Sequence, residues 1–435
     1  MSEEIKGFSK FSKQEKIEWL TKVCFSDNEA AKKILLQYWN TDKDLQKLHD
    51  EFSENTLSNY YLPFAISPNF LINNKFYTVP MAIEESSVVA AASKSAKFWA
   101  QHGGFMAEVI ETEKIGQVHF LYSGKKKIIQ NYFDFIKPLF FEKTESITKK
   151  MNSRGGGIIN ITLVDKTSDL KDYYQIFATF ETVDAMGANF INSCLEEFSK
   201  IFYNSLSLFK EHKIDKNDIE IIMSILSNHV PNCIVKSSVS CSVIELNSLE
   251  SSTENFSERI VKAIKIANND IYRAVTHNKG IMNGVDAVAL ATGNDFRAIE
   301  AGAHAYASKG GYKSLSQAYI RDGIFYFELK IPLAIGTVGG VTNLHPLVKI
   351  ALEILGNPNA KELMKVIASV GLAQNFGALR SLVTTGIQKG HMKMHLTNLL
   401  NKYQLTNEEK KKALNYFADK SVSSSIVENF ISKIR

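Results

Sequence analysis

A chain of 435 residues, 45% hydrophobic and 22% charged with only 8 prolines, has the composition of an ordinary globular protein too long for one compact core, so two or three domains are expected. A net charge of +5 suits an anionic small ligand or a slightly basic solvated surface, and is too small to argue for nucleic acid. Met1 to Lys16 has no apolar core of signal-peptide length, no stretch offers the roughly 18 uninterrupted apolar residues of a membrane helix, and Cys24, Cys194, Cys233 and Cys241 make no CxxC or CxxH pattern; the expectation is a cytoplasmic protein with no membrane, no disulfide framework and no metal.

Along the chain, Ile17, Leu20 and Val23, then Ile34, Leu35 and Tyr38, recur at helical spacing among charges, which predicts helix over 13–52. Leu71 to Met81 holds two short apolar runs about Asn73-Asn74, a hairpin signal, and leads into Glu84-Glu85-Ser86-Ser87, followed by an alanine-rich helix with serine caps that ends at Gly103-Gly104. From about 108 to 220, strand-like stretches at 117–122, 157–164 and 174–181 alternate with helical ones at 128–135 and 189–202, two β-α-β halves of a small α+β sandwich. Residues 255–310 and 346–400 return to long helical patterns rich in alanine and glycine, implying close helix packing. The tail carries a capping box, Thr406 to Glu409, before an amphipathic helix with Leu414 and Phe417 on one face.

Five segments are candidates for chemistry. Glu84-Glu85-Ser86-Ser87 sits at a strand-to-helix junction, where adjacent carboxylates either hold one proton at neutral pH or simply offset the helix dipole. Asp184-Ala185-Met186-Gly187-Ala188-Asn189 closes a strand and opens a helix; its small residues suit close approach of a phosphate, or just a tight turn with an aspartate cap. Arg273 to Gly284 holds Lys279, with Asp295 sixteen residues on; a lysine–aspartate pair beside Arg273 would be positively biased toward an oxyanion and a carboxylate, or an ordinary surface ion pair. His391, between Gly390 and Met392 at a hinge, is a mobile acid/base or a packing residue. Ala334 to Gly340 reads as a strand running into a glycine-rich loop that admits a ligand or turns a corner.

Taken together, in this order and wording, Val79 to Ser93, the Asp184 turn, Asn278 to Gly310 and Leu372 to His395 resemble the class II, bacterial-type 3-hydroxy-3-methylglutaryl-coenzyme A reductases from about residue 54 to 395. The resemblance implies a catalytic acid at Glu85, a catalytic lysine at Lys279 with its aspartate at Asp295, and a thiolate-protonating histidine at His391. It puts the grip on the hydroxymethylglutaryl group at Ser87, Arg273 and Asn283, and the nicotinamide cofactor at Asp184, Met186, Gly187 and Asn189 with Gly336 and Gly339. Two departures stand out: Glu54-Asn55-Thr56-Leu57-Ser58 has serine where the family uses glycine, and only Lys10 corresponds to the relatives' basic N-terminal contacts with coenzyme A.

The fold implied is α+β: a large helical substrate domain from 1–108 and 221–376, an inserted small ferredoxin-like cofactor domain at 109–220, and a C-terminal helical flap at 377–435. The activity implied is the two-step reduction of 3-hydroxy-3-methylglutaryl-CoA to mevalonate and CoA with two NAD(P)H, in the mevalonate pathway of isoprenoid synthesis, by a homodimer or higher homo-oligomer. Lys149, Lys150 and Arg154, in a segment without aspartate, favour a 2′-phosphate and hence NADPH over NADH, against Glu142 and Glu145 at its start. Alternatives are the degradative direction with NAD, a non-catalytic CoA-ester-binding relative, and a thioester hydrolase.

Overall fold

The computed structural model describes residues 4–212, 214–250, 253–384, 386, 396, 399–403, 405–417 and 422–434, in two compact units, Met1–Pro63 and Phe64–Arg435. The first unit carries α1 (Lys13–Cys24), α2 (Asn28–Gln37) and α3 (Lys43–Asp50). The single helical run expected over 13–52 is broken twice, where the side chains of Asp27 and Asp42 accept the backbone N–H groups of Ala30 and of Asp44 and Leu45. Aspartate competes for backbone donors, so it starts a helix better than it continues one. Of the expected apolar face Ile17 is buried, while Val23 and Ile34 are exposed. Ser58, the family's glycine position, donates its hydroxyl to the Leu35 carbonyl at 2.6 Å.

The second unit opens with a hairpin of β1 (Phe64–Ile72) and β2 (Lys75–Ala82). Asn73 and Asn74 both take positive φ, 47° and 65°, which asparagine tolerates and a two-residue hairpin turn requires. α4 (Ser86–Ala100) follows. At Gly104, φ is 76° and a Cβ would lie 2.4 Å from the Leu71 carbonyl oxygen, so nothing larger fits where the chain leaves the helix.

Two four-stranded antiparallel sheets come next. One contains β4 (Lys114–Tyr122), β5 (Gly157–Asp165), β6 (Tyr173–Glu181) and β7 (Ile219–Ser227) in the order β5-β6-β4-β7. With α5 (Lys126–Lys143) between β4 and β5 and α7 (Ala188–Asn204) between β6 and β7, the connectivity is β-α-β-β-α-β, with α6 (Glu145–Asn152) as an addition. These elements enclose an aromatic core around Phe120, Phe133, Phe140, Phe180, Phe198 and Phe202. β7 pairs with β4 through Ser227, so this sheet extends past the boundary expected at 220.

The other sheet orders β3 (Met106–Val109), β8 (Ile234–Ser242), β10 (Ile324–Pro332) and β9 (Ser316–Arg321) as β3-β8-β10-β9. It packs in one large core with the hairpin, α4, α8 (Val243–Ser248), α9 (Phe256–Asn269), α10 (Ile271–Ala291), α11 (Phe296–Ala307) and α13 (Ala360–Val383), α12 (Pro346–Ile354) lying before α13. At Gly284 a Cβ would meet Gln374 Cβ at 2.9 Å and the Val370 carbonyl at 3.0 Å, so α10 and α13 touch almost backbone to backbone. α13 is long and apolar enough to cross a membrane by composition alone, but 72% of that apolar window is buried, as in a core helix.

The helical pattern expected over 346–400 stops after α12, where Gly356 and Asn357 turn with positive φ, and resumes as α13 to Val383. α14 (Asn407–Tyr416) starts with the expected capping box of Thr406 and Glu409 and packs with α15 (Ser424–Ile434). Its inward face differs from expectation: Ala413 and Phe417, four residues apart, are buried, whereas Leu414 is 37% exposed, being turned about 100° round the helix from Ala413. The molecule is a mixed α/β fold of helices and antiparallel sheets.

Candidate active site

α4, α10 and α13 line a cavity of about 850 Å3. Glu85, Ser87, Arg273, Lys279 and Asn283 all contribute to its wall, so five residues from two distant parts of the sequence meet there. Glu85 is the N-cap of α4, and the Ser87 hydroxyl donates to Glu85 Oε1, which fixes that carboxylate at the helix start. Glu84, its neighbour, is exposed and does not line the cavity. On α10, Arg273, Thr276, Gly280 and Asn283 follow one another at helical spacing and share the cavity face. Lys279 is exposed and forms no ion pair among the described residues.

Asp295 takes another role. It caps α11, accepting the backbone N–H groups of Arg297 and Ala298, and its carboxylate faces Arg297 Nε at 3.3 Å. It does not line the cavity, so the expected pairing with Lys279 is replaced by a cap and a surface contact within two residues. The acid whose ionisation Lys279 favours is instead Asp286, two turns along α10. Burial, then the neighbouring Glu300 carboxylate, pushes Asp286 up to about 8, with Lys279 pulling the other way. Glu300 in turn bonds His304 Nε2 at 2.6 Å, and His304 Nδ1 lies 2.6 Å from the Tyr312 hydroxyl. His391 lies outside the described residues.

The Asp184 turn and the Gly336–Gly340 loop meet each other. Val338 bridges Ala185, the Asp184 carbonyl accepts Thr337 N–H at 2.8 Å, and a Cβ on Gly336 would lie 2.4 Å from Met186 N. Asp184 does not cap α7, as one reading of the sequence had it. Its Oδ1 accepts the backbone N–H of Ala360 at the start of α13, 176 residues away, at 2.8 Å. The N-cap of α7 is Gly187 at φ 96°, with no side chain over the helix end, so the first amides of α7 stay open to an anionic group. Val183 beside it holds φ 51°, an unfavourable conformation for a β-branched residue. Met186 is half-buried, while Asn189 and Gly339 are exposed on the same elements. Bare glycine backbone and an uncapped helix start fit a dinucleotide phosphate.

Two features here escaped sequence reasoning. Lys114 is 5% exposed beneath the turn and donates to Thr182 Oγ1 and, at 3.2 Å, to the Ala185 carbonyl. Burial holds its pKa down, against Cys233, Glu181 and Asp184. In the cavity, His277, Gln374 and Asn375 are buried polar residues on otherwise apolar helical stretches, a signal that was present in Leu372-Ala373-Gln374-Asn375-Phe376. His277 is pushed down to about 3, mainly by burial and then by Arg273, and is neutral near pH 7.

The family model described as hydroxymethylglutaryl-coenzyme A reductase matches residues 12–396. A 3-hydroxy-3-methylglutaryl-coenzyme A reductase of Archaeoglobus fulgidus is 36% identical over 405 residues, covering 92% of this chain and 87% of the relative. A solved reductase of that name from Streptococcus pneumoniae superposes with a TM-score of 0.73 at 33% identity over 99% of both chains. Another from the same organism, described as class II and bound to NADPH in open conformations, gives 0.71 at 35% identity over 87% of this chain and 99% of the other. With one family model spanning the cavity residues and both halves of the turn-and-loop clasp, the chain belongs to the class II 3-hydroxy-3-methylglutaryl-coenzyme A reductase family.

Proposed function

We propose that this chain reduces 3-hydroxy-3-methylglutaryl-CoA to mevalonate and CoA at the Lys279 cavity, using NADPH or NADH. The observation that supports this most is the meeting of Glu85, Ser87, Arg273, Lys279 and Asn283 on one cavity wall. The nicotinamide supplies the two hydrides when bound. Its phosphates would lie against the Asp184–Asn189 turn and the start of α7, with Gly336 and Gly339 keeping the loop beside them low.

Each side chain then has a task that its chemistry suits. The Lys279 ammonium stabilises the oxyanion that forms at the thioester carbonyl. Arg273, with Ser87 and Asn283, holds the carboxylate end of the substrate. His391 protonates the departing CoA sulfur. Glu85 protonates the aldehyde oxygen in the second reduction, its carboxyl oriented by the hydrogen bond that Oε1 accepts from Ser87. Asp295 is assigned to this network by family likeness, while its contacts in this chain are those of a helix cap. Asp286 is the acid that answers electrostatically to Lys279.

The preference for NADPH rests on Lys149, Lys150 and Arg154. α6 ends at Asn152, and a Cβ on Gly156 would lie 2.6 Å from the Glu181 carbonyl, so the loop carrying Arg154 abuts the end of β6 just before the Asp184 turn. The β-α-β-β-α-β unit is the ferredoxin-like cofactor domain, the remaining core, with α13 through Val383, the substrate domain, and the part of 377–435 that follows α13 the flap; the boundary expected at 376 falls inside that helix. The working form is a homodimer or higher homo-oligomer in which the turn and the lysine come from different subunits.

Absorbance at 340 nm with 3-hydroxy-3-methylglutaryl-CoA and each nicotinamide tests the reading. Two cofactors oxidised per thioester, with the higher kcat/KM for NADPH, is the expected result. Thioester cleavage without cofactor oxidation would make the protein a hydrolase.

A further inference from the structure

Three buried residues from three elements form a hydrogen-bonded chain that ends at the cavity. His277 on α10 is 1% exposed, Ser316 at the start of β9 is fully buried, and Asn375 on α13 is 1% exposed. His277 Nε2 lies 2.7 Å from Ser316 Oγ, and Ser316 Oγ donates to Asn375 Oδ1 at 2.7 Å. Because the single hydroxyl hydrogen of Ser316 goes to Asn375, His277 must donate from Nε2. That leaves Nδ1 as a buried acceptor without a partner among the described residues. The reverse arrangement would leave a buried N–H unpaired instead, and orphaned N–H donors are the rarer case in folded proteins.

The consequence falls on Asn375. Its carbonyl oxygen is held by Ser316, and its amide nitrogen, two N–H donors, forms no hydrogen bond among the described residues. Asn375 lines the same cavity as Arg273 and Lys279. We propose that His277 and Ser316 are positioning residues that set which end of the Asn375 amide faces the cavity, so that two N–H donors meet an anionic or carbonyl oxygen of the substrate beside Arg273.

This rests on the reading of the cavity as a site for a carboxylate-bearing thioester. An asparagine free to turn over would offer its oxygen half the time and repel that group. A buried hydroxyl is the smallest device that forbids the turn, and burial keeps the histidine beside it neutral near pH 7, a donor at Nε2.

Ser316→Ala removes the hydroxyl with the least change of volume. The expected result is about a tenfold rise in KM for 3-hydroxy-3-methylglutaryl-CoA, the scale of one hydrogen bond to a charged group, with KM for the nicotinamide unchanged. In an Asn375→Ala background the same substitution should add nothing further, since its effect passes through that amide. Thermal melts accompany both. An additive loss in the double variant, or a lower melting temperature with both KM values unmoved, shows a purely structural role and overturns the proposal. Wild-type protein that oxidises no cofactor with this thioester overturns the functional reading and the proposal together, so the two failures are distinguishable.

Discussion

Around Lys279 the polar ends of Lys279, Arg273 and Asn283 bond to nothing else among the described residues, whereas around Asp184 most polar groups are already engaged within the chain. Asp184 shows the difference best. Its carboxylate holds Ala360 and its carbonyl holds Thr337, so it ties three distant segments together and offers little to a ligand. What remains open there is backbone: the start of α7 and the glycines. The cavity presents side chains for chemistry, and the clasp presents a shaped main chain. Substitutions should therefore act differently in the two places. In the cavity they should change rate with little loss of stability. In the clasp they should change cofactor affinity and stability together.

The largest effect is expected at Lys279. Lys279→Ala should lower turnover of both the thioester and added mevaldehyde by about 100- to 1,000-fold, since both steps build negative charge at the same oxygen, with an unchanged melting temperature. Near-normal mevaldehyde turnover would make the lysine structural. Within the same cavity, Glu85→Gln should impair mevaldehyde reduction, while His391→Gln should impair the thioester step and spare mevaldehyde, each by roughly 100-fold or more. Equal loss on both substrates for His391→Gln would remove its role as the thiolate's acid.

At the clasp, Gly336→Ala puts a methyl group 2.4 Å from Met186 N, against backbone that cannot yield cheaply. Overpacking of this kind costs about 1–3 kcal/mol, so a rise in nicotinamide KM of roughly tenfold, together with a lower melting temperature, is expected. An unchanged KM would separate the loop from the cofactor.

Asp295 tests the boundary between the two kinds of region. Asp295→Ala should lose about 1 kcal/mol of stability with the α11 cap, and Asp295→Asn almost none, because asparagine caps as well. If Asp295→Asn nevertheless abolishes turnover, the carboxylate works in the catalytic network and not only as a cap. The smallest effect is a slope. Asp286 is raised in the folded protein, so its contribution to stability is complete below its ordinary value of 3.8 and is lost as pH rises through about 8. Asp286→Asn should flatten the fall of melting temperature across that window, and an unaltered profile would show that Asp286 is not the group responsible.

Local signals in the sequence were enough for several features whose partners lie within a turn or two, though not for the Asp27, Asp42 and Asp295 caps. Asn73-Asn74 made the hairpin, Thr406 and Glu409 the capping box, and Gly103-Gly104 the exit from α4, because positive φ and helix caps are properties of a few consecutive residues. Resemblance named the cavity residues, and five of the seven called catalytic or substrate-binding line one wall. Partner choice over long distances was decided by packing alone. Residues 219–227 joined the small sheet because β4 offered them an open edge, a fact about β4 and not about those nine residues. Asp184 found Ala360, and His277, Ser316 and Asn375 met from three elements, since which donor reaches which acceptor depends on where the close-packed helices and sheet leave each group.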